Sequence, residues 1–560
     1  MTQALSIRRG STPPARGAKR AVRRGLLVLA VTTAGFAAIS AQLVRLAMQA
    51  KPEIRLTMAE AMGSSWSRPD LVDRKGRLLA TDIEVHSLFA DPAVIIDLDE
   101  TVEKITGLFR DIDAGELRRQ LADRSRRFQW IRRGLTPAMA QRAHALGLPG
   151  VGFRKELRRA YPAGVLAGHV LGSVNVDNKG LSGLERDIDE GGLAEQVLTP
   201  GRSLRAPQRV SIDLGVQHAV ADELERAMRR YGASGAGGLV MDARTGEIVA
   251  SASLPAIDPG RPQDGQNGDR IDRVLAGSYE LGSIYKLQTI AMALDAGLVT
   301  LDTQRDVRQP IDAGQYTIKD PYPQGRPLSV REIFLHSSNV GAAMLALEAG
   351  GARQKAFLAK LGLLDAGRTE AGPLALPQLP HRWEKIETIT IAYGHGLAVA
   401  PVTFAAGLAA LVKGGTRVTP TFRALPEGSE VIAGPRLIAA ETSAQMRELM
   451  RLNVTHAAGT GRRAEVDGYR IGGKTGTAEM AGLGGYRKKA VIASFAAAFP
   501  MDEPRYVALV MLFEPQGSDE TKGGITAGLN AAPATGRIIE RIAPILGVLP
   551  RQAGVSDRAP

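Results

Sequence analysis

Ser283-Ile284-Tyr285-Lys286, Ser337-Ser338-Asn339 and Lys474-Thr475-Gly476-Thr477 stand along this chain in that order. If they act together, the fold must carry residues nearly two hundred positions apart into hydrogen-bond reach. S-x-x-K arises roughly once by chance in a chain this long, whereas K-T-G-[ST] arises about once in a hundred such chains. The ordered set therefore constrains the fold far more than any one member.

Each piece answers a chemical need. A serine hydroxyl is a poor nucleophile at neutral pH and needs a base beside it, and the i, i+3 helical spacing puts Lys286 on the face of Ser283. Lys286 can serve only once its ammonium has lost a proton, which burial and a nearby cation, Lys474, both favour. Ser337 and Asn339 supply a hydroxyl and an amide for relaying a proton and holding a substrate amide. Lys474 and Thr477 supply donors suited to a carboxylate. Gly473 and Gly476 let a substrate backbone lie against the strand-like run from Tyr469, which reads as an edge strand. The expected catalytic residues are Ser283, Lys286, Ser337, Asn339 and Lys474, with Thr475, Gly476 and Thr477 binding substrate.

The formal charge of +13 invites a nucleic-acid reading. Seven of those charges (Arg8, Arg9, Arg16, Lys19, Arg20, Arg23 and Arg24) fall in residues 1–24, which hold no acid, so +6 remains for the rest. With 4% aromatic residues and no nucleic-acid motif, no nucleic-acid partner is expected. Gly25 to Val44 is a run of twenty uncharged residues, about the length of a membrane-crossing helix, with Arg23 and Arg24 directly before it. The positive-inside rule keeps the tail cytoplasmic and puts everything after Arg45 outside. A cleaved signal ending near Ala38, Ser40 and Ala41 is the competing reading, disfavoured by the length of the run. Cysteine is absent, which excludes disulfide and thiolate chemistry.

Between Lys51 and Arg205 short strand-like runs such as Ser87 to Ala90 mix with charged helical stretches such as Ala114 to Arg126, without a convergent catalytic set. The arginines at 132, 133 and 154–159 read as solvated or paired structural charges, with a partner surface as the sharper alternative. From Ala206 the pattern predicts a helix at Gln217–Tyr231, a hairpin at Gly237–Ala252, a helix from Ser283 to Leu298, and strands at Lys489–Phe499 and Arg505–Phe513. Helices on both sides of an antiparallel sheet follow.

These residues resemble a class B penicillin-binding protein of the division-specific, FtsI type. The resemblance covers nearly the whole chain. Val72 to Ala80 is similar to the family's D-R-x-G-x-x-L-A segment, Arg159-Ala160-Tyr161-Pro162 to its R-x-Y-P, Gly183-Leu184-Glu185 to its G-L-E, and Gly394-His395-Gly396 to its G-x-G. Leu281, Ile284, Tyr285 and the pair Arg68-Pro69 depart from its commoner residues. The resemblance implies an α+β protein with a cytoplasmic tail (1–24), a single transmembrane helix (25–44), a non-catalytic pedestal or dimerisation-like domain (45–205), a penicillin-binding transpeptidase domain resembling serine β-lactamases (206–548) and a flexible tail (549–560). It further implies that Ser283 attacks the penultimate D-alanine carbonyl of a stem peptide and passes the acyl group to an amine on a neighbouring strand. The oxyanion hole would come from the backbone N–H groups of Ser283 and Thr477. Implied partners are lipid II-derived glycan strands and their stem peptides, a SEDS-type membrane glycosyltransferase, other divisome membrane proteins, and β-lactams as inhibitors. The implied location is the inner membrane at the division septum, with the catalytic domain periplasmic.

Alternatives are an elongation-specific transpeptidase, a β-lactamase-like hydrolase, and a penicillin-binding sensor or scaffold. Glu448 to Asn453 is similar to the E-x-x-L-N of β-lactamases but one residue too long, and it falls inside a helical run at Thr442–Val454. Neither metal nor cofactor is expected: the eight histidines follow no ligand spacing, and His336 and His395 read as packing or loop residues.

Overall fold

The computed structural model describes residues 16–49, 65–197, 205–314, 316–426, 429, 432–482 and 485–551. The chain divides into two units, Met1–Ser64 and Ser65–Pro560. In the first, helix α1 (Arg16–Gln49) runs for 34 residues and leaves the apolar side chains Leu26, Leu27, Val28, Leu29, Val31, Phe36 and Ile39 exposed. Among the described residues no helix is long and apolar enough to cross a membrane. The exposure of Gly25, Leu43 and Val44, at the ends of the expected span, lies outside the described set, as do residues 1–15 of the basic tail and 552–560 of the last one.

The second unit begins with a sheet of β1 (Leu71–Val72), β2 (Leu78–Ala90), β3 (Gln129–Leu135), β4 (Val151–Ala160) and β5 (Gln208–Arg209). Strand β2 pairs antiparallel with β1, β3 and β4, and β5 joins β1 in parallel. The turn between β1 and β2 shows why Asp73 to Arg77 has its pattern. The Asp73 carboxylate accepts from the backbone of Lys75 (2.9 Å) and Arg77 (2.8 Å), and Gly76 takes φ +81°. Lys75 and Arg77 then reach Asp213 at 2.8 and 2.7 Å, and Asp213 caps helix α3 (Leu214–Tyr231) by accepting from Gly215 and Val216. One turn thus fastens the first sheet to the long helix that comes after it in the chain.

Glu185, on helix α2 (Gly183–Glu190), sits in a closed ionic knot. Its carboxylate accepts from Arg68 Nε at 2.8 Å and Arg159 Nε at 2.7 Å, and all three side chains are fully buried. Arg159 also bonds Asp82 (3.2 Å) and the Pro69 carbonyl (2.9 Å), so a proline after Arg68 is tolerated because its carbonyl is what the knot uses. Arg133 pairs with Glu156 and Asp177. These arginines are structural ion pairs.

The second sheet has the order β8-β9-β10-β6-β7, with β6 (Gly235–Asp242), β7 (Ile248–Leu254), β8 (Gly472–Gly482), β9 (Gly485–Phe499) and β10 (Tyr506–Phe513), all antiparallel. Strand β10 is an unbroken apolar run because both faces are covered. Its Val507, Leu509, Met511 and Phe513 enter one hydrophobic core, and Tyr506, Ala508, Val510 and Leu512 enter the other, as a period of two requires. The second core takes α3 and the helix Ala531–Ile545. Helices flank both faces, as expected, and β8 is an edge.

Three local expectations shift. Strand β8 starts at Gly472 rather than Tyr469, because Arg470 takes φ +44° and breaks the extended run. The helix expected from Ser283 is a 3₁₀ turn at Gly282–Tyr285 followed by helix α4 (Lys286–Asp295), and it stops where Gly297 takes φ +65°. The helix at Ala114 ends at Ala122.

Candidate active site

Ser283 lies in the 3₁₀ turn ahead of α4, and Lys286 opens the helix with its side chain running back beneath it. Lys286 Nζ stands 3.0 Å from Ser283 Oγ, 3.0 Å from Ser337 Oγ, 2.8 Å from Asn339 Oδ1 and 2.5 Å from the Ser337 carbonyl. The residue is fully buried. Burial, and then the charge of Lys474, hold its ammonium well below the usual lysine range. A neutral amine in this ring of oxygens can donate two hydrogens and turn its lone pair to the Ser283 hydroxyl, which is the arrangement a general base needs.

Ser337-Ser338-Asn339 meets these groups from the other side of the cleft. Ser337 takes φ +55°, uncommon for a residue with a side chain, and this turns both its carbonyl and its hydroxyl toward Lys286. Ser338 caps the helix that begins at Asn339, accepting from Gly341 N at 2.9 Å. What fixes the turn is Asp320, which the sequence did not single out. Its carboxylate accepts from Ser338 Oγ (2.6 Å), Asn339 N (2.6 Å) and Val340 N (2.9 Å).

Lys474-Thr475-Gly476-Thr477 forms the third wall along β8. Ser283 approaches it because glycines leave no room for a side chain between them. A Cβ on Gly476 would lie 2.3 Å from the Leu281 carbonyl oxygen, and one on Gly394 would lie 2.0 Å from that of Gly282. Gly394 belongs to Gly394-His395-Gly396, whose Gly396 N bonds Glu280 at 2.8 Å. Thr477 Oγ1 accepts from Ala527 N at 3.1 Å, which frees its proton for the cleft. Thr475 Oγ1 gives its proton to Thr460 Oγ1 at 2.7 Å. Lys474 does not reach the cleft surface: it is fully buried, with Nζ 5.6 Å over the Phe334 ring and 3.5 Å from the Thr475 carbonyl. Burial lowers its pKa to about 7.

The resulting cleft measures about 750 Å³, and Ser283, Ser337, Asn339, Thr475 and Thr477 line it. His336 and His395 line it too, from the turn and loop positions expected of them, and His395 packs against Tyr393 with 5.4 Å between ring centroids. Glu448 does not: it pairs with Arg331, and no carboxylate of that helix enters the site. Asn453, on the same helix, donates to the Gly473 carbonyl at 2.8 Å and so holds β8 in place. Among the described residues no cluster of His, Cys, Asp and Glu has the form of a metal site.

Residues 236–535 match the family described as the penicillin binding protein transpeptidase domain, and residues 65–191 that described as the penicillin-binding protein dimerisation domain. The chain is 38% identical to a probable peptidoglycan D,D-transpeptidase FtsI of Caulobacter vibrioides, over 87% of this chain and 83% of that protein. It is 28% identical to the peptidoglycan D,D-transpeptidase FtsI of Escherichia coli K12, over 88% and 86%. In fold it is similar to penicillin binding protein 3 of Mycobacterium tuberculosis, whose crystal structure is a complex with aztreonam. There the TM-score is 0.66 and the identity 24%, with 87% of this chain and 98% of that one covered.

Proposed function

Because the chain belongs to the penicillin-binding transpeptidases, in their class B, FtsI-type branch, we propose that it cross-links peptidoglycan stem peptides through an acyl-enzyme on Ser283. The observation that carries this reading is the buried Lys286 amine, 3.0 Å from Ser283 Oγ and held below its ordinary pKa.

Ser283 Oγ attacks the carbonyl of the penultimate D-alanine while its proton passes to Lys286. The C–N bond to the terminal D-alanine breaks, and the proton returns through the Ser337 hydroxyl to the departing amine. An amine of a neighbouring strand then attacks the ester, the C–O bond to Ser283 breaks, and the amine's proton restores the serine. Asn339 orients Lys286 and the substrate amide. The Thr477 hydroxyl meets a carboxylate, with Thr475 and Gly476 shaping the strand beside it, and backbone N–H groups of Ser283 and Thr477 take the oxyanion at roughly 3 kcal/mol per donor. Lys474, buried below, acts by its field on Lys286 and on an anionic substrate. β-Lactams acylate the same serine.

Residues 45–205 serve as a pedestal and 206–548 as the catalytic domain. Gly25 to Val44 anchors the protein in the inner membrane, with the enzyme in the periplasm at the septum beside a SEDS-type glycosyltransferase. The twenty-residue uncharged run and the basic residues before it support that placement. Mass-spectrometric mapping of the residue acylated by a fluorescent penicillin tests the core of the proposal. Label on Ser283, lost in Ser283→Ala, is expected, and stoichiometric label elsewhere would sink it.

A further inference from the structure

Among the described residues no Asp or Glu lines the catalytic cleft, yet its rim carries two arginines, Arg462 and Arg463. Both are exposed. Among the described residues neither makes an ion pair, and Arg462 Nη1 reaches only the Ala457 carbonyl at 3.4 Å. Arg463 acts on Glu520 through space, but that carboxylate is already paired with Arg230. Their neighbours differ: Arg451 pairs with Glu465, Arg470 with Asp502, and Arg487 with Glu514. A pair of unmatched guanidinium groups beside an acid-free cleft is arranged for an anion brought by the substrate.

The loop that bears them is fixed to the catalytic strand. Buried Asn453 accepts from Thr460 N (3.1 Å) and Thr460 Oγ1 (3.2 Å) while donating to the Gly473 carbonyl (2.8 Å), and Thr460 bonds Thr475 at 2.7 Å. A Cβ on Gly459 would lie 2.1 Å from the Asn453 carbonyl oxygen, so the loop sits directly on its support. The loop from which the arginines project is therefore held on the Thr475 side of the cleft.

We infer that Arg462 and Arg463 read a carboxylate on the acceptor, so that the enzyme takes an attacking amine whose own carbon carries that group. The inference rests on the transpeptidase reading above. Acyl transfer to an amine is chemically the reverse of expelling one, so the attacking nitrogen occupies the place the leaving nitrogen vacated. The leaving amine is that of D-alanine, and its carbon bears the carboxylate that the Thr477 hydroxyl meets; Arg462 and Arg463, lining the same cleft, add their charge to that carboxylate position. An acceptor built the same way is the amino-acid end of a diaminodicarboxylic residue, whereas a plain ω-amine such as that of lysine brings no anion to the arginines.

The test uses full-length protein in detergent micelles, a peptide thioester ending in D-alanine as acyl donor, and D-alanine or D-alaninamide as competing acceptors. These differ only in carboxylate against neutral amide, and the amide has the less basic amine, which biases the comparison against the inference. The ratio of the two transfer products, read by mass spectrometry on one sample, cancels any loss of folded enzyme. The ratio should favour D-alanine and drop by about tenfold or more in the Arg462→Gln, Arg463→Gln double variant. The Arg462→Lys, Arg463→Lys variant should keep most of the preference. An equal ratio in wild type and Gln variant, with acyl-enzyme still formed on Ser283, overturns the inference alone. Absence of any acyl-enzyme on Ser283 overturns the transpeptidase reading and this inference with it.

Discussion

Gly394 presses on Gly282, the residue before the serine: the Gly282 amide donates to the Gly394 carbonyl at 3.2 Å, and a Cβ on Gly394 would stand 2.0 Å from the Gly282 carbonyl oxygen. Both take positive φ, +92° and +58°. Gly394→Ala must push the 3₁₀ turn away from Lys286, and misplacing a nucleophile by about 1 Å costs on the order of a hundredfold. Acylation by penicillin, followed by stopped-flow quenching of a fluorescent label, should fall by about that factor. Wild-type rates in this variant would show that the contact does not set the serine.

Asp320 offers a second test. Its three acceptor contacts hold Ser337 in its left-handed conformation, and its charge keeps the Lys286 pKa from falling further. Asp320→Asn should slow acylation by roughly tenfold or more, since charge-assisted bonds of about 2 kcal/mol are weakened. It should also move the rising limb of the pH–rate profile to lower pH. A slower variant with an unmoved limb would mark Asp320 as structural only.

The two buried lysines predict a pH profile. As the proposed base, Lys286 must be neutral, so acylation should rise with pH through a value well below the ordinary lysine range. Lys474 titrates at about 7, and above that the cation that assists Lys286 is lost, so kcat/KM for penicillin should turn down there. Replacing Lys474 by Met removes this falling limb and shifts the rising limb upward, because the cation no longer disfavours protonation of Lys286. Stability moves the other way. A lysine whose folded pKa is lowered binds fewer protons folded than unfolded, so its penalty is full below about 7 and disappears as pH rises toward 10.5. Lys474→Met should therefore be more stable than wild type at pH 6, by on the order of a few kcal/mol and read as a raised melting temperature, while acylating more slowly.

The groups that the fold brings together around Ser283 were legible because each shows its chemistry in residue type and spacing: Ser283 and Lys286 lie one helical turn apart, and Gly476 marks a strand that must be approached closely. The sheet was legible from β10, whose unbroken apolar run has no exposed face to give an alternation. Asp320 was hidden because an aspartate seventeen residues before Ser337, in a polar stretch, carries no pattern that distinguishes a helix-capping carboxylate from a solvated one. Asn453 was hidden inside an ordinary helical run, where only the fold decides that its amide turns inward to Gly473. Arg462 and Arg463 carry no pattern in the sequence that sets them apart from other charged residues, and only the fold puts them at the rim of a cleft lined by no acid among the described residues.

Tyr285 replaces the family's commoner phenylalanine, and the structure shows what the hydroxyl costs. The ring packs edge-on to Phe404, 5.5 Å between centroids, in the core, and among the described residues its oxygen finds no partner. The cavity beside it is about 10 Å³, barely the room one water needs. Tyr285→Phe should therefore stabilise the protein by about 1 kcal/mol, read as a raised melting temperature. A lowered melting point would reveal a partner for the hydroxyl.

The knot around Glu185 predicts the largest loss of stability. Glu185 stands between Arg68 and Arg159 with all three side chains out of water, so removing its charge leaves two guanidinium groups buried with less than their counter-charge. Asp189 pairs with Arg68 and Asp82 with Arg159, whereas Glu185 pairs with both. Glu185→Gln should destabilise by about 3–5 kcal/mol, the range seen when one member of a buried pair is deleted. Neutralising a partner as well should recover part of it, because the desolvation of one charge then no longer goes uncompensated. The double variant Arg159→Met, Glu185→Met should thus unfold at higher denaturant than the sum of the two single changes predicts, a coupling of at least about 1 kcal/mol in a double-mutant cycle. Strict additivity would mean that the knot is held by packing rather than by charge.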